Sequence, residues 1–186
     1  MPQSCPNPPS RANDGASPNG SLTLSGSTIY GSTYAGGGII PGIGAGTVFR
    51  LNTDGTGFSL LHTFDGGVND GARPTTLTLA GTTLYGMSTF GGNNFGTLFS
   101  LGTNGTGFRL LESFSGAPND GANPPSFGAL TLSGDASTLY GLTAFGGTAN
   151  KGVIFSRAIA TPEPGAFALL SLGTLLLSAH RRNAQA

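Results

Sequence analysis

Asn-Asp-Gly occurs three times, at 13–15, 69–71 and 119–121, and is the first place to look for chemistry. Amide and carboxylate oxygens beside a tight turn are hard donors of the kind calcium takes. A calcium loop also needs clustered carboxylates and a bidentate Glu downstream, and neither accompanies these triplets. Turn formation explains the same residue types: an Asx side chain bonds its own backbone, and a following proline kinks the start of the next strand. The Gly-Gly pairs at 36–37, 91–92 and 146–147 also read as turns, because no helix start or Lys-Ser/Thr follows to make a phosphate cradle. His62 would need a fixed partner to act as base or ligand. None is legible, and Glu112 holds the matching position later in the chain, so His62 reads as a solvated strand residue. Asp65, Asp70 and Asp120 would pair only if folding brought them together, and nothing in their spacing asks for it. Cys5 is the single cysteine, which excludes an intrachain disulfide and a Cys/His metal set. No catalytic residue, metal ligand or cofactor site is expected.

These residues sit in a repeat. The stretch Asn69–Phe114 contains NDGARP, LTLAGTTLYGMSTFGG and GTLFSLGTNGTGFRLLESF, and close copies precede and follow it. Tyr30, Tyr85 and Tyr140 recur at intervals of 55 residues. A fixed period of this size means stacked or radially arranged units, none of which can bury its apolar face alone. Composition agrees with a packed, turn-rich chain. The 186 residues include 33 Gly, 12 Pro and 12 Phe, and the eight Lys+Arg balance the eight Asp+Glu. Charged residues make up 9 %, against roughly 25 % in ordinary soluble domains. A neutral chain has no basic footprint for phosphate, so nucleic acid is excluded as a partner.

Within each unit the pattern predicts short antiparallel strands. Leu22–Leu24 and Thr28–Thr33 flank a turn at Gly26; Leu77–Leu79 with Thr83–Ser88 and Leu130–Leu132 with Thr138–Thr143 repeat them. Gly46–Leu51 and Phe58–Phe64 flank Asp54-Gly55, and Gly96–Leu101 and Phe108–Phe114 flank Asn104-Gly105. Asx-Gly between apolar runs is a hairpin signal, here with a loop longer than two residues. Alternation places Phe49 and Leu51 on one face with Arg50 opposite, and Phe99 and Leu101 on one face with Ser100 opposite. It likewise groups Phe58, Leu60 and Phe64, then Phe108, Leu110 and Phe114. Phe49, Phe99 and Phe155 are expected at equivalent buried positions.

The fold class that follows is all-β, with antiparallel units resembling propeller blades. The period is near that of kelch blades, although the chain has no Trp. Residues 13–64 make one unit, 69–114 a second and 119–156 three strands of a third, so a leader at 1–12 precedes a repeat region at 13–160. Propellers close with about four to eight blades. The chain is therefore expected to be part of a longer propeller, to close by oligomerising, or to form a sandwich-like arrangement. The abrupt start after a Pro-rich leader favours the first.

Composition changes at residue 161. Pro162-Glu163-Pro164 breaks any strand, Ala166–Ala179 is uncharged and Leu-rich, and His180, Arg181 and Arg182 follow. A basic block after an apolar helix is a stop signal held in the cytoplasm, although the run is short against the roughly 20 residues that span a bilayer. A transmembrane-type helix is expected in the tail, 161–186. Ser171, Thr174 and Ser178 recur at i, i+3 and i+7, a stripe of small hydroxyl residues suited to close helix packing.

Pro-Glu-Pro, a short apolar run and an Arg-rich end at the C-terminus resemble the PEP-CTERM sorting signal. That resemblance implies an exported bacterial protein whose tail is recognised by an exosortase, a membrane transpeptidase, and removed near Pro162-Glu163-Pro164. The pieces GTVFRLNTDGTGF, NDGARP and TLYGMSTFGG resemble the GloVer tandem repeats of exported proteins. Together these imply an inner-membrane intermediate, then the cell surface or extracellular matrix. Met1–Gly20 has no basic n-region or apolar h-region, so an export signal is expected upstream. The function that follows is a non-enzymatic binding, structural or matrix module, with extracellular polysaccharide or other surface proteins as partners. The alternative is a secreted propeller-type enzyme acting on polysaccharide, which would need catalytic groups at loops that differ between units. Here the loops are nearly alike.

Overall fold

The computed structural model describes residues 15–38, 44–126 and 128–159. In unit 1, β1 (Gly15–Ser25), β2 (Thr28–Gly36), β3 (Thr47–Asn52) and β4 (Ser59–Thr63) form an antiparallel sheet in chain order. Unit 2 repeats it with β5 (Gly71–Ala80), β6 (Thr83–Gly91), β7 (Thr97–Gly102) and β8 (Arg109–Ser113). In unit 3, β10 (Thr131–Leu132), β11 (Thr138–Leu142) and β13 (Ile154–Ala158) form a three-stranded sheet, while β9 (Gly121–Ala122) pairs with β12 (Phe145–Gly146). The described residues are all β, as the alternation implies, and contain no helix. Among them no helix is long and apolar enough to cross a membrane. The leader, the tail and the helix expected at Ala166–Ala179 lie outside them.

Turn chemistry sets the hairpins. Gly26 and Gly81 adopt φ of 57° and 59° in two-residue turns. At the outer hairpins Asp54 Oδ1 accepts from Thr56 N (2.9 Å) and Asn104 Oδ1 from Thr106 N (3.0 Å), with Gly55 and Gly105 at φ of 83° and 86°. The longer loop expected there is present.

Three expectations need correction. The strand after Asn-Asp-Gly does not wait for the Leu-Thr-Leu run. It starts at Gly15 and Gly71 and passes through Pro18 and Pro74, because a bulge before Thr23 and before Leu77 absorbs the irregularity. In unit 3, Pro125 and the residues after it stretch this segment, and the long strand splits into β9 and β10. Phe64 and Phe114 do not share a face with Leu60 and Leu110. Register shifts by one at Val48/Phe49 and at Leu98/Phe99, so Val48 faces His62 while Phe49 faces Leu60. That extra residue, Leu61 or Leu111, turns the end of the strand over. Finally, Phe49, Phe99 and Phe155 are equivalent in position but not in burial: Phe99 is fully buried, whereas Phe49 and Phe155 are half-buried.

The sheets lie face to face and the core is formed between them. Tyr30, Val48, Leu61 and Phe64 of unit 1 pack on Leu77, Leu84, Phe99 and Leu101 of unit 2. The other face of unit 2, with Tyr85, Met87 and Leu98, packs on Leu130, Leu139 and Phe155 of unit 3. Among the described residues, unit 2 alone is covered on both sides. Phe99→Ala should therefore cost about 3–5 kcal/mol, and Phe49→Ala roughly half as much, since less area leaves water. Urea denaturation midpoints compare them; equal losses would contradict the sandwiched position of unit 2.

Candidate functional site

The sequence placed no fixed partner beside His62, yet the fold supplies one. After β4 the chain turns back, and Asp70 reaches His62, whose Nε2–H donates to Asp70 Oδ1 at 3.1 Å. Asp70 Oδ2 accepts the Asp65 amide (2.9 Å) and Oδ1 the Gly71 amide (2.8 Å). Burial works to raise the Asp70 pKa, but the His62 bond and the two amides outweigh it, and the carboxyl lies below the usual value. His62 is not a solvated strand residue: its ring stacks on Phe108 of unit 2, with centroids 3.9 Å apart and planes 4° apart, and meets the Phe64 edge at 4.7 Å. His62, Asp70 and Phe108, together with Asp65, Val68 and Asn69, line an open hollow of about 410 Å³ at the junction of units 1 and 2.

The Asn-Asp-Gly triplets at 69–71 and 119–121 are turn builders. Asp120 in unit 3 accepts from the Ser115 amide (2.7 Å) and the Gly121 amide (2.7 Å), as Asp70 does from Asp65 and Gly71. Asp14 lies outside the described residues. Asp65 Oδ1 accepts from Gly67 N at 2.7 Å, so Asp65 and Asp70 are joined through backbone amides rather than as a carboxylate pair. Among the described residues no three His, Cys, Asp or Glu side chains converge to hold a metal ion. Pro162, Glu163, Pro164, Ser171, Thr174, Ser178, His180, Arg181 and Arg182, and also Cys5, lie outside the described residues.

The residues that recur most faithfully meet at the seams between units. Thr23 Oγ1 donates to Leu77 O (2.6 Å), and Thr78 Oγ1 to Leu130 O (2.7 Å). Arg73 N donates to Ala45 O and Asn123 N to Phe95 O, both at 2.6 Å. For this the residue before each proline takes a left-handed backbone, with φ of 59° at Arg73 and 49° at Asn123. The proline that follows seats against a glycine of the preceding unit. A Cβ on Gly46 would lie 2.6 Å from Pro74 Cδ, and one on Gly96 2.5 Å from Pro124 Cδ. Side chains specific to one seam add to this. Arg73 lies between the Tyr34 and Phe90 rings, at 4.9 and 4.7 Å, and donates to Tyr34 Oη at 2.9 Å. Glu112, at the position of His62, accepts from Arg157 of unit 3 at 2.9 Å. Beside this pair, Arg109, Arg157, Tyr85 and Ser100 line a cleft of about 370 Å³.

The family model of the Gloeobacter/Verrucomicrobia repeat matches residues 9–171. The chain belongs to this repeat family. No curated protein matches the sequence. Among solved structures it resembles a chain in the crystal structure of a nidogen/laminin complex, at 18 % identity and a TM-score of 0.50. The match covers 70 % of this chain and 42 % of that one, so the chain spans less than half of its length. At this identity the likeness concerns the β fold alone.

Sequence reading missed both the His62–Asp70 bond and the seams. One signal was present: His62 precedes Asp70, and Glu112 precedes Asp120, by the same eight residues. Because the folded pKa of Asp70 is depressed, its contribution is present above the unfolded carboxylate value, about 3.9, and lost as pH falls through the lower folded value. Asp70→Asn should lower stability by about 1–3 kcal/mol near neutrality, since the amides of Asp65 and Gly71 lose a charged acceptor. Urea midpoints from pH 7 to pH 2 should show the gap to the unchanged chain closing below about pH 4. A gap independent of pH would remove the carboxylate from this account.

Proposed function

We propose that the protein is an exported repeat module with a binding or structural role, its units forming an arc of a propeller-like array. The observation that carries this is the use of the recurring residues. Asp70 and Asp120, the hydroxyls of Thr23 and Thr78, the Gly46–Pro74 and Gly96–Pro124 contacts and the left-handed Arg73 and Asn123 each complete a turn or join two units. What the repeat preserves is thereby assigned to assembling a scaffold, and the surface between seams is free to make contacts. A related fold in a chain of a nidogen/laminin complex fits a role in protein association. Extracellular polysaccharide or another surface protein is the proposed partner, with the hollow at His62 and the Arg109/Arg157 cleft as the places to look.

Sorting rests on the tail. In this reading Pro162-Glu163-Pro164 is recognised by an exosortase-type transpeptidase, Ala166–Ala179 holds the intermediate in the inner membrane, and His180, Arg181 and Arg182 keep its end in the cytoplasm. Ser171, Thr174 and Ser178 face the enzyme, where small hydroxyl residues allow close helix contact. In a host with such an enzyme and a signal peptide fused to the chain, the mature protein should lose the mass of the tail. Pro162→Ala with Pro164→Ala should abolish that loss, and Ser171, Thr174 and Ser178 all changed to Leu should slow it without preventing membrane insertion. Normal processing of the double proline variant would refute the sorting reading and leave the scaffold reading standing.

A further inference from the structure

The two seams use one set of contacts, so the three described units leave two different and complementary faces open among the described residues. The outer face of unit 3 carries the groups that units 1 and 2 turn toward their successors. Tyr140 is 46 % exposed where Tyr30 and Tyr85 are 7 % and 8 %, and Ile154 is 78 % exposed where Val48 and Leu98 are 0 %. Leu142, in the place of the buried Met87, is half exposed. The outer face of unit 1 carries the receiving half. Leu22 is 64 % exposed where Leu77 and Leu130 are 3 % and 4 %, and Leu24 and Phe58 lie beside it in the open.

The polar fittings are preformed as well. Ser17, equivalent to Arg73 and Asn123, already has φ of 55°, the same left-handed backbone that turns their amides onto the preceding unit. At the other end Gly152 has φ of 90°, against 99° and 88° at Gly46 and Gly96, the two glycines that seat a proline. Among the described residues the Ser17 amide and the Lys151 carbonyl lack the bond that their equivalents make across a seam. The same holds for the Thr131 hydroxyl, equivalent to Thr23 and Thr78.

We infer that these ends are binding faces for a second copy of this chain, joined head to tail, with unit 3 of one copy seated on unit 1 of the next. The contact continues the two seams inside the chain. Pro18 of one copy lies against Gly152 of the other, the Ser17 amide donates to the Lys151 carbonyl, and the Thr131 hydroxyl donates to the Leu22 carbonyl. Tyr140, Leu142 and Ile154 cover Leu22, Leu24 and Phe58. Pairing like ends would oppose donor to donor and leave the glycine without its proline. The association is thus heterologous, building a ring where the rotation closes and a filament where it does not. It does not depend on the tail or on any ligand.

Two variants test this, each changing only exposed side chains so that the units still fold. Leu22→Arg with Leu24→Arg blocks the head, and Leu142→Arg with Ile154→Arg blocks the tail face. The full chain in a mild non-ionic detergent is followed by native mass spectrometry across a concentration series. The unchanged chain should form oligomers that grow with concentration, and each variant alone should lose them and remain monomeric. An equal mixture of the two should form dimers containing one of each and nothing larger, since each supplies the face that the other lacks. Dimers of a single variant would show like ends pairing and overturn the proposal. A monomeric unchanged chain, or a mixture that stays monomeric, would overturn it too and assign the faces to another cover.

Discussion

The array depends on a phenylalanine ring lying on a glycine of the neighbouring strand. Gly31 faces Phe49, Gly86 faces Phe99 and Gly141 faces Phe155 across antiparallel pairs. In each the ring fills the space where a Cβ would stand, which is why Tyr-Gly recurs in the sequence. A ring laid flat against its own sheet leaves a surface that the next sheet can approach. The preceding unit then sets a phenylalanine against that ring: Phe64 meets Phe99 at 5.2 Å and Phe114 meets Phe155 at 5.3 Å. The Gly–Phe pair is thus both an intra-unit contact and the floor of the seam.

The bulges at Leu61 and Leu111 are what allow this. In a regular, unbulged strand of the same sequence, Phe64 and Phe114 would fall on the side of Leu60 and Leu110 and could not reach the following unit. Buried polarity is handled locally. Thr33 and Thr47 share a hydroxyl contact at 2.9 Å, and Ser88 and Thr97 one at 2.6 Å, across the same strand pair in successive units. Neutral pairs of this kind satisfy donors inside the stack without the desolvation cost of ions, in keeping with a chain in which 9 % of residues are charged.

Much of this was legible in the sequence. The period, the hairpins at Asp54-Gly55 and Asn104-Gly105, and the facing of Phe99 and Leu101 follow from local rules about turns and alternation. The failures have specific physical causes. Strict alternation carried Phe64 to the wrong side because a bulge changes phase without changing composition. Pro18 and Pro74 were expected to kink the entry to the next strand, but each lies within a strand that has already begun and sits just before a bulge, where the ladder is interrupted. His62 looked solvated because its partner Asp70 comes from the turn after its strand and its stacking partner Phe108 from the next unit. Equal burial of Phe49, Phe99 and Phe155 could not be read from equal local sequence, because burial here is conferred by the neighbouring unit.

A unit is therefore stabilised by the units on either side rather than by itself. Native-state amide hydrogen exchange, at a dilution where the chain is monomeric, tests it most directly. Amides of β6 and β7 in unit 2, around Leu84–Met87 and Leu98–Leu101, should exchange more slowly than their equivalents at Ile29–Ser32 and Val48–Leu51 in unit 1 and at Leu139–Leu142 and Ile154–Arg157 in unit 3. Equal protection in all three units, or slower exchange in either outer unit than in the middle one, would contradict it.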